Sequence, residues 1–241
     1  MSKGYTKDEI LAKCAEALQE PSSFYKKEFV DYTGVCSDLR VPYTEIVAEF
    51  LCEHIEEYMA GLEVITREKS YYTGTHDGCY EESSNREEEK LAMDMYKYCQ
   101  AGGKYGIIGK IIDYQTPLKD VQGDKAGKID LLAYDDDDDL ILRILELKKP
   151  DSTETMLRCV LEGYTYLRTV DKNKLIEDFR KDSGVKMWEN VRLVASPLVA
   201  KGGNQHSEYL KADSYLRKLM GKLGVEPVFF TIANGKIEID G

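Results

Sequence analysis

The run from Gly127 to Pro150, GKIDLLAYDDDDDLILRILELKKP, limits the fold more than any other part of the chain. Two short stretches dominated by Ile and Leu, Lys128 to Tyr134 and Leu140 to Lys148, flank five consecutive aspartates. Each stretch has strand length and is apolar on both alternating faces, so it belongs inside a sheet covered by other elements. The aspartates between them suit a solvated hairpin turn. They lack the alternating ligands, central glycine and terminal glutamate of a calcium-binding loop. Their charge also discourages edge pairing with other chains.

Within this frame three ionisable residues stand out. Side chains on a strand alternate faces, so Glu146 and Lys148 point the same way as Leu140, Leu142 and Ile144. Asp130 shares a face with Leu132 and Tyr134, and antiparallel pairing through the aspartate turn brings its carboxylate toward Glu146 at one end of the sheet. Buried charge is costly unless it is paired or metal-bound. Two carboxylates and an ammonium converging on one spot are the oxygen-rich, locally neutralised setting that Mg²⁺ requires. At a solvated strand end the same residues would instead be a turn aspartate and a Glu146 to Lys148 or Lys149 ion pair.

The remaining chain supplies the other layers. Thr6 to Glu9 has capping-box form, and a helix follows until Pro21. Pro42 opens a second helix from Tyr43 to Met59, closed by Gly61. Residues 66 to 82 read as a surface loop or irregular hairpin. A helix from about Arg86 to Gln100 ends at Gly102-Gly103. Strands follow at Tyr105 to Tyr114, Lys128 to Tyr134 and Leu140 to Lys148, then a helix from Ser152 to Val170 and a strand from Val191 to Val199. A helix from Ser207 to Lys222 and a hairpin turning at Asn234-Gly235 complete the order. The expected fold class is α/β, a mixed sheet flanked by helices, with residues 1–82 as a helical extension packed on a core of residues 83–241.

The segment around Asp130, Glu146 and Lys148 resembles the core of the PD-(D/E)XK nuclease superfamily, with Ile129 standing where the name has proline. The order helix, three-strand meander, helix, strand also matches, over roughly residues 83–200, and implies a restriction-endonuclease-like fold. The resemblance implies a nuclease in which Asp130 and Glu146 bind Mg²⁺ or Mn²⁺, helped by the carbonyl of Leu147, beside Lys148. A further acid on the preceding helix is implied; Glu88 shares the face of Leu91, Ala92 and Met95, whereas Glu89 points away. On the helix after the Glu-x-Lys strand, Arg158, Glu162 and Tyr166 recur at four-residue intervals. They resemble the Gln-x-x-x-Tyr signature of recombination-type members, with Glu162 in the glutamine's place. An Arg158 to Glu162 ion pair is the simpler reading of that spacing.

Composition bounds these expectations. The net charge is -11, so binding of nucleic acid, DNA before RNA, requires a local basic groove or a recruiting partner. A homodimer or a protein partner stays open, and so does a catalytically inactive binding module on a nuclease fold. No run reaches the roughly 18 apolar residues of a membrane span, and the first residues carry no secretion pattern, so no membrane contact and a cytoplasmic location are expected. The six cysteines form no Cys-x-x-Cys pair and read as reduced, mostly buried thiols. His54, His76 and His206 read as structural, as does Cys79. Neither Gly102-Gly103 nor Gly202-Gly203 has the setting of a phosphate-binding loop, and there is no Walker lysine.

Overall fold

A computed structural model describes residues 4–120, 127–135, 140–186, 190–211 and 214–239. The capping box at Thr6 forms as the sequence predicts, and α1 (Lys7–Ala17) follows it. Two short 3-10 turns, Pro21–Lys26 and Glu28–Asp31, lead to α2 (Tyr43–Glu53) and α3 (Ile55–Ala60). One helix was expected over these last two. It breaks at His54, whose Nδ1 lies 2.9 Å from the Phe50 carbonyl oxygen and whose ring stacks on Phe50.

The helix α4 (Glu87–Gln100) precedes three strands, β1 (Lys110–Pro117), β2 (Lys128–Asp135) and β3 (Ile141–Lys148). The strand β1 starts later than expected because residues 106 to 108 form a 3-10 turn and Gly109 takes a positive φ of 77°. A side chain at Gly109 would collide with the Tyr134 carbonyl. The chain continues through α5 (Met156–Thr169), α6 (Lys172–Asp182) and β4 (Arg192–Ala200), then α7 (Asn204–Tyr209), α8 (Tyr215–Leu223), β5 (Val228–Ala233) and β6 (Lys236–Ile239).

Local chemistry explains the departures from the expected helices. Thr155 caps α5 by accepting from the Arg158 amide at 3.1 Å, so residues 152 to 155 stay outside it. The helix α6 was not anticipated, although Asp171 caps it and Leu175, Ile176 and Phe179 line its buried face. The single helix expected from Ser207 to Lys222 is two, since Ser214 caps α8 afresh. Residues 136–139 of the aspartate run lie outside the described residues, as do 212 and 213 of that expected helix. The Asn234-Gly235 turn has positive φ at both positions, the geometry of a two-residue hairpin loop.

Six strands form one mixed, curled sheet in the order β1-β2-β3-β4-β5-β6, flanked by helices. The pairs β1/β2, β2/β3 and β5/β6 are antiparallel, while β3/β4 and β4/β5 are parallel. Alternation sends Leu142 and Ile144 into a cluster with Cys159 and Val160 of α5, and Leu145 and Leu147 into one with Met95 and Cys99 of α4. The first cluster also takes Ile10, Phe24, Val47, Tyr58 and Tyr71, so residues before 83 pack on the core as part of the same apolar interior. All six cysteines are free; Cys52 is half-buried, Cys79 is exposed and the other four are buried. No helix among the described residues is long and apolar enough to cross a membrane.

Candidate active site

The β2/β3 ladder runs as far as the pair Leu131 and Leu145. One step further stand Asp130 and Glu146, and here a side chain replaces the regular ladder: Asp130 Oδ2 accepts the Leu147 amide at 3.0 Å. Its other oxygen, Oδ1, accepts from Gln115 Nε2 at 2.9 Å. Glu146 and Lys148 are 3% and 5% exposed, and the Lys148 ammonium donates to Glu146 Oε1 at 2.8 Å. The same ammonium lies 2.9 Å from Glu154 Oε2. Burial of this kind is tolerated because each charge meets an opposite one.

The facing helix α5 completes the surroundings. Gly163 faces Glu146, and a Cβ there would lie 3.6 Å from Glu146 Cβ, an ordinary contact. The Tyr166 hydroxyl donates to Glu162 Oε1 at 2.6 Å and lies 3.3 Å from the Tyr25 hydroxyl. Arg158 is nearer Glu154, at 3.4 Å, than Glu162, at 4.0 Å. The expected Arg158 to Glu162 pair is therefore the weaker of two contacts, and the firm partner of Glu162 is Tyr166. Glu88, in the first turn of α4, accepts from the Lys149 amide at 3.2 Å, while Glu89 pairs outward with Arg86. What the contacts record for Leu147 is its amide, held by Asp130.

Charge is unbalanced across this group. Burial pushes the Asp130 carboxyl up to about 6, and Glu162 and Glu88 add to the rise while Lys148 and the Leu147 amide oppose it. Glu146 is raised well above the ordinary carboxylate range, by burial first and then by Asp130 and Glu162. Burial would lower Lys148, but Glu146, Asp130 and Glu154 hold it above its usual value. The Tyr166 hydroxyl is raised by burial and by Glu162. Glu88 and Glu162 thus act on Asp130, and Asp130 and Glu162 on Glu146, while Lys148 offsets both, Arg158 faces Glu154 and Glu162, and Lys149 faces Glu88.

No group of three or more His, Cys, Asp or Glu side chains among the described residues is gathered as a ready metal cage. The donor chemistry nevertheless fits a hard divalent cation, because surplus carboxylate charge in a poorly solvated pocket is what such an ion neutralises. Two cavities touch this group, one through its own outer carboxylates and one through Gln115. One, of about 550 Å³, is lined by Glu88, Lys149 and Glu154. The other, of about 410 Å³, is lined by Gln115 together with Arg67, His76 and Lys128.

Gln115 escaped the sequence reading. It sits between Tyr114 and Thr116, which pair with Leu131 and Ile129, and so lies opposite Asp130. Its φ is +49°, a conformation that side chains other than glycine seldom adopt and that concentrates at functional sites. Glutamine in a strand carries no signal of this kind. His76 is also better held than its sequence suggests: its Nδ1 lies 2.5 Å from Oδ1 of the buried Asp113, whose Oδ2 accepts from Thr116 at 2.6 Å. Compared with known proteins, the chain matches no family model, no curated protein and no solved structure.

Proposed function

We propose that the chain is a metal-dependent phosphodiesterase that hydrolyses DNA. The observation that carries this reading is the pair Asp130 and Glu146 one step beyond the β2/β3 ladder, both carboxyls raised chiefly by burial and Asp130 adding to the rise at Glu146, beside the buried Lys148. Asp130 and Glu146 would hold Mg²⁺ or Mn²⁺, with Glu88 and the Leu147 carbonyl as the further expected ligands. Bound there, the ion would neutralise the carboxylates, polarise the phosphate and make a nucleophile of water at neutral pH.

The chain's own groups do the rest. Lys148 has three N–H donors, of which Glu146 and Glu154 occupy two directions. The third is free to orient the attacking water and to offset charge growing on the phosphate. Gln115 and the Leu147 amide fix the plane of the Asp130 carboxylate. Tyr166 fixes Glu162, which keeps the pocket electronegative. Arg158 on α5, paired with Glu154, suits a contact to substrate phosphate.

The experiment is cleavage of plasmid DNA by purified protein with Mn²⁺. Wild type nicks or degrades it, and Asp130→Ala and Lys148→Ala abolish cleavage with an unchanged circular dichroism spectrum. Equal activity in all three would mark a contaminant and end the proposal. A second reading, a binding module without catalysis, draws on the net charge of -11 and the closed Glu146 to Lys148 pair. Calorimetry separates the two: the hydrolase has a saturable Mn²⁺ site that Asp130→Ala removes, and the module has none.

A further inference from the structure

We infer that the 410 Å³ cavity beside Gln115 is the seat of the nucleotide next to the scissile phosphate, with His76 and Lys128 as its phosphate contacts. This rests on the phosphodiesterase reading for the identity of the ligand; the cavity itself stands on its own geometry. Its lining carries Arg67, His76, Lys119 and Lys128 against one acid, Asp120. That balance is the reverse of the chain as a whole. The one acid accepts from the amides of Glu68 at 2.8 Å and Lys69 at 3.0 Å and pairs with Arg67 at 3.3 Å, so those two charges offset each other.

The position follows from strand alternation. Lys128 lies two residues before Asp130 on the same strand and so on the same face, roughly 7 Å along it. Gln115 lies opposite Asp130 in register, lines the cavity and donates to the Asp130 carboxylate. A strand whose scissile phosphate rests at Asp130 therefore passes its neighbouring nucleotide into this cavity. The volume lies within the range of small-molecule sites, about 300 to 1,000 Å³, and exceeds what a bare phosphate needs.

Two of the lining groups are prepared for an anion. His76 is fixed from behind: Asp113 holds Nδ1, and Tyr114 stacks on the ring with centroids 4.3 Å apart. A carboxylate behind one imidazole nitrogen orients the other and strengthens it as a donor. Arg67 is 7% exposed, and its terminal nitrogens are bound to the carbonyls of Lys119 and Ser70. Its Nε is buried with no hydrogen-bond partner among the described residues. A phosphate oxygen that reached this Nε would pair a buried N–H. A neighbouring cavity of about 590 Å³ shares Lys119 and adds Lys26 and Lys27, but Glu20 and Glu63 line it too. The charge balance thus singles out the smaller one.

Both His76 and Arg67 come from the first 82 residues, so the extension supplies half of the substrate seat. The test is a fluorescence-anisotropy titration of the full chain with a labelled single-stranded DNA oligonucleotide in EDTA, where no cleavage occurs. Lys128→Gln and His76→Gln should each weaken binding several-fold, and the double variant by tenfold or more. Lys128→Gln should also lower the slope of log affinity against log salt by about 0.7, the value of one lost phosphate contact. Lys222→Gln makes the same charge change as Lys128→Gln on the exposed face of α8 and should leave affinity within twofold. Lys128 is itself exposed, so its variant stays informative if loss of His76 disturbs packing.

Lys128→Gln and Lys222→Gln binding equally well would overturn the seat, and so would no binding by wild type up to about 100 µM, the weak end of non-specific affinity. Plasmid cleavage is scored separately. Cleavage that depends on Asp130, with binding indifferent to Lys128 and His76, overturns the seat and leaves the phosphodiesterase. Binding that depends on both residues, without cleavage, supports the seat and removes the hydrolase.

Discussion

Asp130→Asn should make the protein more stable at pH 8 while removing its activity. In the folded chain the Asp130 carboxyl stands at about 6 against an ordinary value of 3.8, chiefly through burial. A folded-state pKa above the unfolded one means that the folded state binds its proton more tightly. The resulting stability is complete below pH 3.8 and is lost as pH climbs through about 6. The full span is worth about 3 kcal/mol, and since Asp130 keeps part of its surface in solvent this is a ceiling. About 1 kcal/mol of it survives at pH 5 and essentially none at pH 8. Asparagine cannot ionise. Its carbonyl can keep the Leu147 amide, and the Gln115 amide can turn over to accept from its nitrogen. The difference in unfolding free energy, variant minus wild type, should therefore grow by about 1 kcal/mol between pH 5 and pH 8. Urea titrations in EDTA at both values measure it. A difference that stays constant, or shrinks as pH rises, would refute the reasoning. Mn²⁺ should flatten the pH gradient of wild type and leave the variant untouched, because the ion stabilises only a site that binds it.

Three further outcomes follow from the packing around the site. Lys148→Met leaves Glu146 buried without its cation and should cost about 3–5 kcal/mol in urea unfolding at pH 7.5, with much of the loss recovered by adding Glu146→Gln. Thr155→Val removes both the cap to Arg158 and a 2.9 Å bond to the Val30 carbonyl, and should cost about 1–2 kcal/mol without altering DNA cleavage. Gly163→Ala places a methyl 3.6 Å from Glu146 Cβ and 3.9 Å from Ala195 Cβ, ordinary contacts. It should raise stability by up to about 1 kcal/mol, read as an increase in the urea midpoint, whereas Gly163→Leu should lower it.

The parts legible in the sequence are those written in neighbouring residues. Alternation along β3 was enough to put Glu146 and Lys148 on one face, and the Asp130 run does pair antiparallel with that strand, which brings Asp130 toward Glu146. The wheel of α4 separated Glu88 from Glu89, and the two do face different partners. Contacts between distant segments left no such trace. His76 meets Asp113 across 37 residues, and its value lies in a carboxylate that reads only as a polar residue in a strand. Gln115 matters because of a backbone angle that its side chain gives no reason to expect. The helix α6 was missed although Asp171 offers an N-cap, because its apolar residues are few among many charges. The break at His54 depends on a ring meeting a carbonyl one turn back.

Consider finally how α5 is enclosed. The sheet covers one side of it, and the opposite side meets Tyr25 and Tyr58 through their hydroxyls at Tyr166 and Thr165, while the Ile65 amide bonds the Thr169 carbonyl at its far end. A chain started at residue 83 would uncover Leu161, Tyr164 and Tyr166 along a helix built to be inside, and would aggregate before it could serve as a smaller enzyme. The opening segment is thus the outer wall of the helix that carries Glu162 and Tyr166. A limited digest that cut it away would be expected to unfold the whole molecule in a single event, with no trimmed core surviving.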